Sequence, residues 1–349
     1  MIKWISIPAD TKKRAFVQIA EQTGMSAFAV EKDWWVVQAL SIIFNTEAGP
    51  HLVFKGGTSL SKGWKLINRL SEDVDLAINR GFLGFSDSLS KNQRDKLKKQ
   101  AGAYIDNVLI DELHWLFRNS GFRDLQFELV PGEASDRDRK INIYYPNLIH
   151  PTSYLDARVQ IEITSRSLHE PFTKRTFASL IDETYPDQDF AQAPITIPCA
   201  NPERTFLEKV FLLHEEFQRP PEKRRVDRLS RHLYDVAKLA KTEYADKALA
   251  DSDLYQIIVD HRYNFTRIGS VNYNFHKPKT INPIPNPELI EAWREDYNNM
   301  TEMIYEKDAT PFEQIIEELY ALKERINALP WGLARDYPIR SQNSHSSNI

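Results

Sequence analysis

The sequence lacks features that several protein classes require. It contains a single cysteine, Cys199, so no disulfide can form within the chain, which is typical of proteins from a reducing compartment. No apolar run approaches the ~18 residues that a membrane-spanning helix needs. The N-terminus also has no long apolar core of the kind found in secretory signals. These absences predict a cytoplasmic protein without a membrane segment.

Other missing patterns exclude further classes. The formal net charge is −4, which excludes a globally basic nucleic-acid-binding protein but allows a local basic groove. The histidines show no spacing typical of zinc ligands. No Gly-Lys-Ser/Thr follows the glycine pair at 56–57, which argues against a P-loop, and there is no Gly-x-Ser-x-Gly elbow. The composition that remains is that of an ordinary globular protein, long enough for two domains.

The most informative segment is 54–78, FKGGTSLSKGWKLINRLSEDVDLAI. A short apolar run ends at Gly56 and Gly57, and the backbone N–H groups of a glycine turn that opens a helix can hold phosphate. Asp73 and Asp75 follow in a strand-like run, where alternate side chains share one face. Two carboxylates at ~4 Å repel by roughly 4 kcal/mol at an effective dielectric of ~20. A bound cation would relieve this repulsion, and all-oxygen ligands favour Mg²⁺ or Mn²⁺.

This segment resembles the first motif of the polymerase-β-type nucleotidyltransferases, in which a glycine and a small hydroxyl residue precede Asp-x-Asp. Its amino-acid sequence, KGGTSLSK followed by RLSEDVDLAI, is similar to the corresponding motif of the AbiEii/AbiGii toxin family within that superfamily. Gly56, Gly57, Ser59 and the pair Arg69-x-Ser71 make the resemblance specific. Later matches extend it over roughly residues 30–240.

Glu31, Lys32 and Asp33 resemble the Glu-Lys-Asp that opens the catalytic domain of the family. A second interpretation is that they are ordinary charges in the first turn of a helix. The sequence leaves both interpretations open.

A third carboxylate is needed beside the aspartate pair, because two metal ions stabilise both the attacking and the leaving oxygen in nucleotidyl transfer. Glu162 in VQIEIT is the first candidate, since Ile161 and Ile163 would face the opposite side of the strand. The resemblance implies an acidic residue in such a strand. Glu128 in QFELV is the alternative candidate, and a third interpretation leaves both glutamates facing solvent.

Lys209 lies at the edge of the apolar stripe of the predicted helix PERTFLEKVFLLHEEF. An ammonium in this position can reach a phosphate, or it can belong to a surface lysine whose stem packs on the stripe. The segment 205–209, TFLEK, matches the Thr-Leu and Glu-Lys of the family. The resemblance therefore implies that Lys209 binds the triphosphate.

The string RHLYDV resembles the last motif of the family, whose acidic residue is Asp235 here. Asp235 would orient Lys209 or act as a base. The alternative is a helix-stabilising ion pair with Arg231, four positions earlier. Many members of the family carry Arg-Asp where this chain has Arg231 and His232, which weakens any assignment of a second acidic group there.

The pattern along the chain predicts an α/β (α+β) fold. Helical patterns cover 11–45, 58–68, 86–120 and 201–328, and strand patterns cover 51–54, 73–78, 125–130, 140–145 and 157–164. Asn201 and Pro202 are typical of a helix start. We therefore expect a polymerase-β-like nucleotidyltransferase domain with a mixed sheet at 1–200, a helical domain at 201–330 and a flexible tail at 331–349.

The resemblance implies transfer of a nucleoside monophosphate from an NTP to an acceptor, with Mg²⁺ or Mn²⁺ as the metal. The implied metal ligands are Asp73, Asp75 and Glu162. The implied catalytic set adds Lys209 and Asp235, and the implied NTP contacts are Gly56, Gly57, Thr58, Ser59 and Lys209.

The resemblance also implies the toxin of a bacterial toxin–antitoxin or abortive-infection phage-defence pair, with a cognate antitoxin encoded nearby. RNA, especially the 3′ end of tRNA, is the implied acceptor, and the basic segments 91–99 and 219–231 are candidate contacts for it. Two alternatives stay open: a nucleotide-binding sensor without transfer activity, and nucleotidyl modification of a protein hydroxyl.

Overall fold

The computed structural model describes residues 2–71, 73–86, 88–131, 139–151, 156–305 and 309–338. The chain forms two compact units. The first comprises Met1–Thr205 and Asn299–Ala309, and the second comprises Phe206–Asn298 and Thr310–Ile349. The division therefore lies a few residues beyond the predicted boundary at 200, and a short later segment returns to the first unit.

A mixed sheet of seven strands forms the centre of the first unit, which confirms the predicted α+β class. Its strands in chain order are β1 Leu52–Lys55, β2 Asp73–Ile78, β3 Gln126–Val130, β4 Arg139–Tyr144, β5 Arg158–Thr164, β6 Phe172–Phe177 and β7 Ile195–Ala200. Their spatial order is β3-β4-β5-β2-β1-β7-β6. The pairs β2–β5 and β1–β7 are parallel, and the remaining pairs are antiparallel.

The sequence pattern predicted β1 to β5 but not β6 and β7. Strand β6, FTKRTF, carries two consecutive cations at an edge of the sheet, so one face has no apolar alternation. Strand β7, ITIPCA, contains Pro198, which normally argues against a strand inside a sheet.

Twelve α-helices occur in the described part of the chain. They are α1 Ala9–Thr23, α2 Ala27–Ile43, α3 Gly56–Thr58, α4 Lys91–Tyr104, α5 Ile110–Asn119, α6 Leu180–Thr184, α7 Pro202–Phe217, α8 Ser230–Leu239, α9 Glu243–Ala250, α10 Ser252–His261, α11 Ile290–Met300 and α12 Phe312–Asn327. Short π-helical turns span Ser59–Gly63, Ile105–Leu109 and Arg262–Thr266. Short 3₁₀ helices span Lys3–Ser6, Gly49–His51, Pro221–Lys223, Tyr273–His276, Pro278–Thr280, Pro287–Leu289 and Thr301–Met303. None of the helices in the described ranges combines the length and apolar composition needed to cross a membrane.

Helix α2 is the central helix of the first unit. It begins after Ser26, whose hydroxyl accepts a hydrogen bond from the Ala29 N–H at 3.1 Å, and α1 ends at Gly24 with φ of 76°. It lies within the helical pattern predicted over 11–45, and nearly all of its residues are buried, because α1, α5, α6 and β5 all pack against it. A helix covered on every side has no polar stripe.

The helix that follows the glycine turn is shorter than predicted. The pattern favours helix over 58–68, but helical structure ends at Gly63. Lys65 adopts a left-handed conformation with φ of 55°, which cannot continue an α-helix. The Trp64 indole N–H donates to the Ala200 carbonyl at 3.0 Å and holds this end of the segment against β7.

The second unit is almost wholly helical, as the pattern predicts. Part of the predicted tail packs on it, because Tyr337 is buried and its hydroxyl donates to the Asp260 carboxylate at 2.6 Å. The rest of that predicted tail, 339–349, lies outside the described residues.

Candidate functional site

The two aspartates of the Asp-x-Asp motif share one face of β2. Asp73 and Asp75 are half-buried, while Val74 and Leu76 between and after them are fully buried on the other face. The parallel neighbour β5 places Glu162 directly opposite Asp75. Because register partners on adjacent strands point to the same side of a sheet, the three carboxylates lie on one face, with neighbouring strands ~4.8 Å apart. The sheet therefore places the three predicted metal ligands on one face.

Glu128, the alternative third carboxylate, lies elsewhere. It is on β3, at the edge of the sheet, in the row that runs through Asn142 and Gln160 to Asp73. That row places it three strand spacings from Asp73, or ~14 Å. Hydrogen bonds from the Asn142 amide at 2.8 Å and the Tyr144 hydroxyl at 2.7 Å lower the pKa of Glu128. Glu128 is thus engaged at the edge of the sheet rather than beside the aspartates.

The two glycines of the motif lie against the side chains that follow them in sequence. Gly56 has φ of +77°, and a Cβ added there would lie 2.1 Å from the Asp75 Oδ2. A Cβ on Gly57 would lie 2.7 Å from the Arg69 guanidinium and 2.9 Å from the Ser71 hydroxyl. Only glycine permits both approaches, so the Gly-Gly turn, Arg69-x-Ser71 and Asp75 form one packed unit.

Two hydroxyl residues after the glycines are buried. The Thr58 hydroxyl donates to the main-chain carbonyl of Asp73 at 2.5 Å, which ties the turn to β2. Ser59 is also buried, and its hydroxyl lies near the Cys199 thiol. Burial raises the pKa of that thiol to about 12. The Thr58 hydroxyl is thus bonded to β2, whereas the buried Ser59 Oγ has no hydrogen-bond partner among the described residues. The predicted contacts of both hydroxyls with NTP stay predictions.

The predicted metal ligands have suitable chemistry but do not converge. Within the described ranges, no group of three or more His, Cys, Asp or Glu side chains is placed to hold a metal ion. The Lys140 ammonium lies 3.3 Å from the Glu162 carboxylate. Carboxylate oxygens on one open strand face are nevertheless the donors that Mg²⁺ and Mn²⁺ prefer. The chemistry of the donor set, three carboxylates on one face, therefore fits a divalent cation.

A cavity of about 350 Å³ lies beside the motif in the first unit. Thr58, Lys62, Arg69 and Ser71 line it, so it adjoins the packed glycine turn. The Lys62 ammonium also forms a 2.7 Å ion pair with Asp33 in its wall. Asp73 and Asp75 do not line this cavity, which therefore opens beside the aspartate pair rather than onto it.

Glu31, Lys32 and Asp33 connect α2 to three distant segments. The Glu31 carboxylate accepts hydrogen bonds from the N–H groups of Leu148 and Ile149, each at 2.8 Å. Lys32 donates to the Asp156 carbonyl, and Asp33 accepts from the Leu180 N–H. All three side chains are buried. These contacts agree with a structural role, and the two interpretations that the sequence offers both stay open.

In the second unit, Lys209 and Asp235 form an ion pair. The Lys209 ammonium lies 2.9 Å from the Asp235 Oδ2 and 3.2 Å from the His232 Nδ1. Asp235 is fully buried and Lys209 is 7% exposed. This ion pair is compatible with Asp235 orienting Lys209, and both predicted roles of Asp235 stay predictions. Sequence reasoning assigned no role to His232, although it lies one helical turn before Asp235 on α8.

Comparison with known proteins identifies the family. The family model for the nucleotidyl transferase AbiEii toxin, a type IV toxin–antitoxin system, matches residues 38–318. Among solved structures, MenT4, a nucleotidyltransferase toxin from Mycobacterium tuberculosis, is similar with a TM-score of 0.45 and 17% identity, covering 92% of this chain and 98% of its own. No curated protein matches the sequence significantly. The chain belongs to the AbiEii family and is a nucleotidyltransferase toxin of the type IV toxin–antitoxin class.

Proposed function

We propose that this toxin is a Mg²⁺-dependent enzyme that transfers a nucleoside monophosphate from an NTP to RNA, in particular to the 3′ end of tRNA, and releases pyrophosphate. We further propose that it acts in the cytoplasm as the toxin of an abortive-infection phage-defence pair. The observation that carries the proposal is the register of β2 and β5, which sets Glu162 beside Asp75 on one face of the sheet. A buried free thiol at Cys199 agrees with a reducing compartment.

Asp73, Asp75 and Glu162 would hold the metal. When bound, a divalent cation supplies charge neutralisation for the phosphates and lowers the pKa of the attacking hydroxyl. Glu162 would accept a hydrogen bond from that hydroxyl and orient it. Glu128 is too far along the row to share this role, because three strand spacings separate it from Asp73.

The glycine turn would bind phosphate through its backbone. Gly56 and Gly57 begin helical structure, where main-chain N–H groups lack partners within the helix. In the second unit, Lys209 is the candidate phosphate ligand and Asp235 its positioning residue, since they form a 2.9 Å ion pair. An NTP substrate and a cognate antitoxin follow from the family.

Transfer of label decides between this proposal and its alternatives. The purified protein is incubated with each α-labelled NTP, Mg²⁺, total RNA and total protein, and the labelled polymer is identified. We expect label in RNA, and we expect the double variant Asp73→Asn/Asp75→Asn to abolish it. The matched control is Asp111→Asn, which changes an exposed aspartate on α5 and should leave transfer unchanged.

Two results would contradict the proposal. Label in protein instead of RNA would favour modification of protein hydroxyls. Tight NTP binding without any labelled polymer would favour a sensor. Omission of Mg²⁺, with EDTA present, should stop transfer by the wild-type protein.

A further inference from the structure

A second open groove lies at the C-terminal end of α5, apart from the candidate site. Its volume is about 640 Å³. It is lined by residues of α5, the following turn and β3, namely His114, Phe117, Arg118, Asn119, Phe122, Arg123, Leu125 and Phe127. Within the part of the chain that the structure describes, no acidic side chain lines it. We call this groove, together with the neighbouring Trp115, the α5 surface.

Two arginines on the α5 surface have no protein partner. Arg118 and Arg123 are both exposed, and neither side chain forms a hydrogen bond or ion pair with another residue in the described ranges. Other arginines of the same unit are engaged, as Arg139 is with Asp106 at 2.9 Å and Arg158 with Asp156 at 3.1 Å. In a chain of net charge −4, two unpaired guanidinium groups lining a groove without acids form a local site for anions.

Aromatic rings lie beside these arginines. Trp115 is 63% exposed, and it precedes Arg118 by three positions, so the two side chains are neighbours on the helix. The ring of Phe127 contacts the exposed ring of His114, with centroids 4.1 Å apart. An exposed tryptophan next to free guanidinium groups is the combination on which single-stranded nucleic acid stacks its bases and places its phosphates.

The basic segment 219–231, which the sequence suggested as an RNA contact, is less available for this task. Arg225 contacts the buried carboxylate of Glu216 at 2.8 Å, and Arg224 is paired with Glu288. These guanidinium groups would have to give up protein partners to bind phosphate.

We propose that the α5 surface binds single-stranded RNA, with Trp115 stacking on a base and Arg118 and Arg123 contacting phosphates. The proposal rests on RNA being the acceptor. The α5 surface contacts β3, the edge strand of the sheet, through Phe127, whose side chain lies on the face opposite to Glu128 and Asp73. RNA anchored at the α5 surface would therefore pass around this edge strand to reach the aspartates, which lie ~14 Å from Glu128 along its row.

The test measures RNA binding without NTP, so that it does not depend on transfer. The probe is a fluorescein-labelled single-stranded oligoribonucleotide of mixed sequence, about 12 nucleotides long. Its Kd is measured between ~50 and ~200 mM KCl. For the double variant Arg118→Ala/Arg123→Ala, we expect the slope of log affinity against log salt to flatten by about 1.4, since each phosphate contact contributes ~0.7. Trp115→Leu should weaken binding about tenfold or more through lost stacking.

Two matched control variants test whether the charges of Arg118 and Arg123 cause the change in RNA affinity. Lys13→Ala/Arg14→Ala removes two exposed cations from α1 of the same unit and should change Kd less than twofold. Arg118→Lys/Arg123→Lys keeps the charge and should retain the wild-type salt slope. If the alanine double variant retains the wild-type slope while the wild-type protein still labels RNA, the α5 surface is excluded and the proposed function stands. If the wild-type protein neither binds the oligoribonucleotide nor labels RNA, the proposal and the RNA acceptor both fail.

Discussion

Gly56→Ala should separate the backbone requirement of the glycine turn from its contact with Asp75. Alanine at a positive φ costs about 1–2 kcal/mol wherever it occurs. At Gly56 the new Cβ would also lie 2.1 Å from the Asp75 Oδ2, so the carboxylate must move away by about 1.3 Å or more to reach ordinary contact distance, which begins at 3.4 Å. A displacement of this size in a reacting group lowers rates by about 100-fold.

Gly84 provides the control, because its φ is +78° and nothing lies within 4 Å of an added Cβ. We expect Gly84→Ala to lower the melting temperature by roughly 2–8 °C, from ~1–2 kcal/mol at ~2–4 °C per kcal/mol, with transfer unchanged. Gly56→Ala should lower it by a similar amount, because the end of a short side chain can move, yet lose transfer about 100-fold. Thermal unfolding and labelled-NTP transfer measure the two effects. Equal transfer by both variants would refute the proposed link between Gly56 and the Asp75 carboxylate.

Three further predictions concern the third carboxylate, the Lys209–Asp235 ion pair and the buried His214. Glu162→Gln should lower kcat/KM for transfer at least about 100-fold, whereas Glu128→Gln should change it less than about threefold. A larger loss in the Glu128 variant would contradict the assignment of Glu162, which rests on the pairing of β2 with β5. Lys209→Ala should weaken NTP binding and, by removing the ammonium that pairs with the buried Asp235 carboxylate, cost about 3–5 kcal/mol in urea unfolding, much of which Asp235→Asn in the same chain should restore. Burial and the nearby His276 lower the pKa of His214 to about 3, so the unfolded chain binds a proton that the folded chain excludes. As the pH drops below ~6.5, His214 should therefore lower the free energy of unfolding of the second unit by about 1.4 kcal/mol per pH unit. The variant His214→Gln should lack this pH dependence.

The sequence pattern within residues 54–78 correctly predicted the parts of the site that lie in this one segment. The period of two in DVDLAI predicted that Asp73 and Asp75 share a face, and the structure has them so. The glycine pair predicted a turn, because a turn depends on only a few consecutive residues and glycine readily adopts positive φ. Gly56 has a positive φ in the structure. The family resemblance, which rests on the same segment, is confirmed by the family model.

Pairing between distant strands could not be predicted in this way. Glu162 and Glu128 both lie between apolar residues in strand-like runs, and only the order β3-β4-β5-β2 places the first beside Asp75 and the second at the edge. The burial of Glu31 could not be predicted from local sequence either, because its partners, the N–H groups of Leu148 and Ile149, lie more than 100 positions away. Burial raises the pKa of Glu31, and these two N–H groups oppose the rise.

The parallel pairing of β2 with β5 also has a consequence for synthesis of the chain. Asp75 is made early, but its register partner Glu162 follows 87 positions later. At ~5–20 residues per second, a ribosome needs roughly 4–17 s to cover that interval. Throughout it the nascent chain carries the glycine turn and both aspartates without the strand that completes them, and closing so long a loop is slow. The three carboxylates of the proposed metal site can therefore share one face only after β5 has been translated and has paired with β2.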